Sequence, residues 1–140
     1  MKRIAGVIIA AATLVLCFAL CACGSGYVSN YSSRTMTTTS TSTRATVSFD
    51  GFSGTYVMKL NSKGGDEVLI SYDATLQEGT IKAYYDFNGE KLNLFEIGTN
   101  GSVEGKTEAF TGNKTIYVII ESDGKCNEGN FSFALEKPQK

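Results

Sequence analysis

The chain has 140 residues, enough for one domain and hardly two, with 13 Lys and Arg against 14 Asp and Glu for a formal charge of −1. That balance gives no basic footprint for nucleic acid. The absence of any His excludes Ser–His–Asp catalysis, His-ligated zinc and His-ligated haem.

The first segment reads as an address. Lys2 and Arg3 precede residues 4–22, which hold no charge and, besides the thiols Cys17 and Cys21, a single polar side chain, Thr13. A positive start, an apolar core and a small-residue exit are the layout of a secretory signal peptide. The exit Leu20-Cys21-Ala22-Cys23 resembles the lipobox of bacterial lipoproteins, with a bulky apolar residue three positions before the modified Cys and a small one just before it. The resemblance implies cleavage after residue 22, a thioether to diacylglycerol on Cys23, and residence on the extracytoplasmic face of the cell membrane. Cys17 and Cys21 fit worse as acceptors, because Leu16 and Leu20 precede them. Each buried methylene contributes about 0.8 kcal/mol, and two acyl chains make stable an anchor that one leaves marginal. An uncleaved helix over 4–22, at the short limit for spanning a bilayer, is the alternative anchor, and it gives the same topology. Cleavage would leave 11 basic against 14 acidic residues, with Cys126 as the one free thiol.

Residues 23–45 are expected to form a lipidated, disordered tether. Of the 23 positions 24–46, 13 are Ser or Thr, and no apolar period is visible. Such a segment buries too little to offset its ordering entropy. A coil of that length would span roughly 25 Å. An O-glycosylated stalk is the alternative for this composition, and Tyr27 and Tyr31 are placed at headgroup level or without a role.

From about residue 44 the apolar period becomes two. Tyr56, Met58 and Leu60 alternate with Val57 and Lys59, and Val68, Ile70 and Tyr72 alternate with Leu69 and Ser71. The same period runs through 81–87, 116–120 and 131–136, and β-branched and aromatic residues dominate these runs. Gly64-Gly65, Asn88-Gly89, Asn100-Gly101, Gly112-Asn113 and Asp123-Gly124 supply turn chemistry between them, and Asn88-Gly89 is the strongest hairpin signal. Strands are expected at 44–50, 54–61, 66–73, 79–87, 91–97, 101–110, 114–121 and 129–137. Eight short strands without a helical stripe predict an all-β, antiparallel, jelly-roll-like sandwich over 46–137. The expected core includes Met58, Leu60, Ile70, Ile81, Tyr85, Leu92, Leu94, Ile116, Val118, Phe131, Phe133 and Leu135.

The order of these strands, from Asp66-Glu67-Val68-Leu69-Ile70-Ser71-Tyr72 through Thr115-Ile116-Tyr117-Val118-Ile119-Ile120 to Phe131-Ser132-Phe133, resembles the small jelly-roll domains appended to secreted bacterial hydrolases, such as the pre-peptidase C-terminal domain. The resemblance implies a sandwich over about 50–136. Lys82-Ala83-Tyr84-Tyr85 stands where that family has an Asp-rich stretch, which weighs against an inherited calcium site.

Chemistry-bearing residues are sparse. The paired carboxylates Asp66/Glu67, Asp86/Glu90, Glu104/Glu108 and Asp123/Glu128 fall in or beside turns, where carboxylates are ordinarily solvated, and no catalytic pair is assigned. Asp86-x-Asn88-Gly89 and 123–128 are oxygen-rich, but neither completes a calcium loop. Cys126 is placed in a loop, where Lys125 would lower its pKa. Tyr84 and Tyr117 fall on the strand face opposite the expected core and are the candidate ligand contacts. The reading is a non-catalytic binding module for protein or glycan, anchored by Cys23, with no cofactor, no metal and no nucleic acid. The alternative is a structural envelope lipoprotein without a specific ligand. An exposed apolar or aromatic patch carrying Tyr84 and Tyr117 would favour glycan binding, and a uniformly polar surface would favour the structural role.

Overall fold

The computed structural model describes residues 27–63, 65–111 and 115–139. The leader and Cys23 lie outside them. Among the described residues there are eleven strands and no helix: β1 (Asn30–Ser32), β2 (Thr35–Ser40), β3 (Arg44–Asp50), β4 (Ser53–Asn61), β5 (Glu67–Glu78), β6 (Ile81–Asp86), β7 (Lys91–Ile97), β8 (Gly101–Lys106), β9 (Phe110–Thr111), β10 (Thr115–Ser122) and β11 (Asn127–Glu136). They form two antiparallel sheets. The first has the order β1-β4-β10-β6-β7 and the second β2-β3-β11-β5-β8, with β9 added beside β5. Two connections, β2–β3 and β6–β7, are hairpins between neighbours in one sheet. Most of the others cross from sheet to sheet, which makes the sandwich jelly-roll-like.

The eight expected strands are all present, and the period-two pattern points all but β7 correctly; there a register shift against β6 turns Phe95 and Ile97 inward. Ile116, Val118 and Ile120 of β10 face inward against Leu60, Met58 and Tyr56 of β4. Phe131 and Phe133 of β11 meet Ala74 and Tyr72 of β5 on one side and Val47 and Ala45 of β3 on the other. Between the sheets the rings are continuous: Phe49 lies 4.7 Å from Phe52 and 5.7 Å from Phe131, and Phe95 lies 6.2 Å from Phe131 and 6.1 Å from Phe133. Tyr85, Leu94 and Leu135, expected inside, are only partly buried at the margin of this core; Leu92, also expected inside, is half-buried and outside it, and Phe95 and Ile97 pack into the core from β7 instead. The Asn88-Gly89 hairpin forms as expected, with Gly89 at φ 95°.

The expected disordered tether is corrected. Residues 30–32 and 35–40 are the strands β1 and β2, and they occupy the edges of different sheets along the same side of the sandwich. Thr is a good strand former, and an exposed strand edge offers unpaired N–H and C=O groups for an added strand to bond. Alternation is present but thin. The Tyr31 ring, still 42% exposed, stands 5.3 Å from Tyr56 and 5.8 Å from Phe52, and Met36 packs against the core. The polar neighbours of these two residues hide the period. Gly54 opposite Tyr31 has φ 121°, and a methyl there would collide with the Asn30 carbonyl, so β1 can lie this close only to glycine.

The expected loop thiol is corrected as well. Cys126 is fully buried, and its backbone exchanges two hydrogen bonds with Phe52, of 2.8 Å and 2.7 Å. Its Sγ donates to the Thr80 carbonyl at 3.4 Å. Burial pushes its pKa up, not down, with Asp123 and Glu78 adding to the shift. The folded protein is therefore expected to resist alkylation by iodoacetamide at mildly alkaline pH and to react fully in urea. Rapid labelling of the native chain, followed by mass spectrometry, would refute this placement.

The strands run so that one end of the sandwich gathers the turns at 41–43 and 87–90 and the close of β11, here called the Asn88 end. The opposite end gathers the turns at 51–52, 98–100 and 123–125, here called the Gly124 end.

Candidate functional site

Tyr84 and Tyr117 lie on the outer face of the first sheet, as their alternation requires. Tyr84 stands opposite Ile119 on β10, and Tyr117 stands opposite Asp86 on β6. Neither ring is a bare platform. The Lys91 ammonium sits 4.2 Å from the Tyr84 centroid and is held there by Glu121 at 2.7 Å. Tyr27 meets Tyr117 edge to face at 5.3 Å, and Lys59 lies 5.9 Å above the same ring. Ile119 on this outer face is 1% exposed.

Tyr27, expected at headgroup level or without a role, is instead fastened to the sandwich. Its hydroxyl donates to Asp86 Oδ2 at 2.5 Å. Asp86, expected to be a solvated turn carboxylate, is 4% exposed, and its Oδ1 accepts the N–H groups of Asn88 at 3.1 Å and Gly89 at 2.7 Å. One carboxylate thus forms the Asx turn of the hairpin and also fastens the N-terminal arm. Ser29 Oγ accepts the Val57 N–H at 2.8 Å and holds the arm in register.

Burial, the hydrogen bond to Asp86 and the Asp86 charge, in that order, push the Tyr27 phenol up from 10 to about 12. The unfolded chain ionises near 10, so the fastening stabilises the fold fully below pH 10 and is lost as pH rises through 12. Between those values the Tyr27→Phe protein is expected to lose less stability than the wild type. Parallel losses in urea titrations at successive pH values would contradict the assignment.

The outer face of the second sheet is different in kind. Two cavities of about 320 Å3 and 260 Å3 lie along it and share Asp73 and Ser132, so they form one groove. Toward the Gly124 end its lining includes Thr46, Ser48, Thr75 and Asn130, and toward the Asn88 end Arg44, Glu104, Lys106 and Glu136. Alternation on β3, β5, β8 and β11 delivers these polar side chains outward while Val47, Ala74, Val103 and Phe131 face the core. Ser48 Oγ donates to Asn130 Oδ1 at 2.6 Å, which leaves the Asn130 NH2 group as a donor. Asp73 and Glu104 stand directly opposite across β5 and β8, a like-charge pair that a sheet gains nothing by placing there. Lys106 is drawn aside to Glu136 at 3.1 Å. The two aromatic residues in the lining, Tyr72 and Phe131, point toward the core. The groove therefore offers hydroxyls, an amide, carboxylates and Arg44, and no stacking surface.

Two other cavities are present. One of about 300 Å3 lies at the irregularity between β6 and β7, beside Tyr84 and Asn93. Another of about 430 Å3 lies at the Asn88 end, where Val68 and Leu135 are ringed by Asn61, Lys63, Asp66 and Lys137. Among the described residues no group of three or more Cys, Asp or Glu is placed to hold a metal ion. Their exposed large hydrophobic residues are Val28 and Tyr31, both on the N-terminal arm.

No protein-family model and no curated protein matches the chain. Among solved structures, it is similar to TmCBM61, solved in complex with β-1,4-galactotriose, with a TM-score of 0.50 at 13% identity over 82% of this chain and 92% of that one. A structure from the disulfide-linked pili of Bacillus endospore appendages matches with a TM-score of 0.49 at 9% identity, over 84% of this chain and 96% of that one. The N-terminal cellulose-binding domain of Cellulomonas fimi β-1,4-glucanase C matches with a TM-score of 0.43 at 14% identity, over 74% and 84%. The likeness to the first is one of fold. None of these three is a pre-peptidase domain, and what that resemblance shares with the structure is the antiparallel sandwich.

Proposed function

We propose that this chain is a bacterial lipoprotein, acylated on Cys23 and held on the extracytoplasmic face of the cell membrane, whose sandwich is a non-catalytic module that binds a glycan in the groove of the second sheet. The observation that carries the binding reading is the groove itself. Its hydroxyls, the Asn130 amide and the facing carboxylates Asp73 and Glu104 offer donors and acceptors in alternation, which suits a polyhydroxylated ligand. The fold it shares with a domain that holds a galactotriose adds support. The groove is preferred over Tyr84 and Tyr117, because both rings are half-buried and already engaged, by Lys91 and by Tyr27. The anchor reading rests on Leu20-Cys21-Ala22-Cys23 and the leader before it.

A glycan array probed with residues 27–140, followed by calorimetry on the strongest ligand, tests the module. Asp73→Ala and Asn130→Ala are each expected to weaken binding about tenfold, or roughly 1.4 kcal/mol, with folding unchanged. Loss of binding in Tyr84→Ala with the groove variants unaffected would move the site to the first sheet. The scarcity of exposed apolar side chains favours a second reading, a structural envelope lipoprotein. A silent array would select it.

A further inference from the structure

The docked N-terminal arm fixes more than its own position. Resting on the reading that Cys23 carries the lipid, we infer that the Asn88 end of the sandwich stands against the phospholipid headgroups and the Gly124 end points away from the membrane. The first described residue is Tyr27, and it is fastened to Tyr117 and Asp86 on the outer face of the first sheet, where β10 begins and β6 ends. Both positions belong to the Asn88 end. Three residues separate Cys23 from Tyr27, four steps along the chain and a reach of about 14 Å at full extension. A 12-residue strand such as β5 is about 40 Å long, nearly three times that reach. A tether of twenty-odd loose residues would let the domain turn any side to the bilayer. A leash this short, ending on a docked side chain, does not.

The partner of this end is thus the headgroup layer into which the acyl chains of Cys23 insert. The site that follows has Lys59, Lys91, Asn88 and Glu90 at or near its rim, and these meet the membrane first. The groove of the second sheet then runs outward, from Arg44 and Glu136 near the membrane to Ser48 and Asn130 farther from it. A ligand would enter from the distal side.

The test uses the full acylated protein in vesicles of phosphatidylethanolamine and phosphatidylglycerol that carry a nitroxide headgroup quencher. A dye is attached at Glu90→Cys or at Lys125→Cys, both exposed, while buried Cys126 stays unlabelled. The Glu90→Cys dye is expected to be quenched several-fold more than the Lys125→Cys dye, and a long Gly/Ser spacer inserted after Gly26 is expected to abolish the contrast. Equal quenching at the two sites, or a contrast that survives the spacer, overturns the orientation. Flotation with vesicles separates this from failure of the anchor. A Cys23→Ser protein that floats as well as the wild type sinks the lipid reading, whereas a wild type that floats and shows no contrast sinks only the orientation.

Discussion

Phe131→Ala is expected to lower the free energy of unfolding by about 3–5 kcal/mol. Phe131 is 2% exposed and sits between Phe49 on one side and Phe95 on the other, at 5.7 Å and 6.2 Å. Removing the ring loses its transfer energy and leaves a cavity that neither sheet can close, because β11 is central in its sheet and bonded on both sides. For a domain of this size that is a large share of the whole stability. Urea unfolding followed by circular dichroism measures it. A loss below about 1 kcal/mol would mean that the two sheets do not meet across this ring.

Asp86→Ala is expected to cost about 3 kcal/mol, the next largest effect. Its carboxylate accepts hydrogen bonds from Asn88, Gly89 and Tyr27, and the substitution leaves these donors without their acceptor in a partly buried place. Asp86→Asn keeps one acceptor oxygen and should cost less. A double-mutant cycle with Tyr27→Phe isolates the arm's share, and a coupling energy near zero would show that the arm is not fastened through this carboxylate. Hydrogen exchange at β1 should accelerate in both single variants if the fastening holds.

The fold was legible wherever one strand face is apolar and the other polar. β6 and β11 announce themselves because Ile81, Ala83 and Tyr85, and Phe131 and Phe133, take every second position, while β10 does so as a β-branched run that is apolar on both faces. β1 and β2 were not legible. They bury only Met36, and that in part, while Tyr31 lays its ring over Phe52 and stays exposed; edge strands are held largely by backbone hydrogen bonds, which leave no trace in side-chain composition. Cys126 reads as a loop residue for a related reason. Its neighbours Asp123, Gly124 and Lys125 are turn residues, and nothing local shows that Phe52 lies across from it.

The candidate site was half legible. Alternation puts Tyr84 and Tyr117 on one outer face, but coverage by Lys91 and Tyr27 depends on residues far away in sequence. The groove has no motif at all. Asp73, Glu104, Ser48 and Asn130 come from four strands, and only the order β3-β11-β5-β8 makes them neighbours.

The placement of β1 and β2 bears on how this protein can be cut. Each closes the margin of a different sheet, and Arg34 between them is tied to Asp50 at 3.2 Å. A recombinant fragment begun at residue 44 or 46, where the compositional change invites the scissors, would bare β3 and β4 together on one flank. It would also vacate the slot that Tyr31 fills above Phe52. Two adjacent open ladders are an invitation to self-association, so the smallest well-behaved unit begins at or before Tyr27.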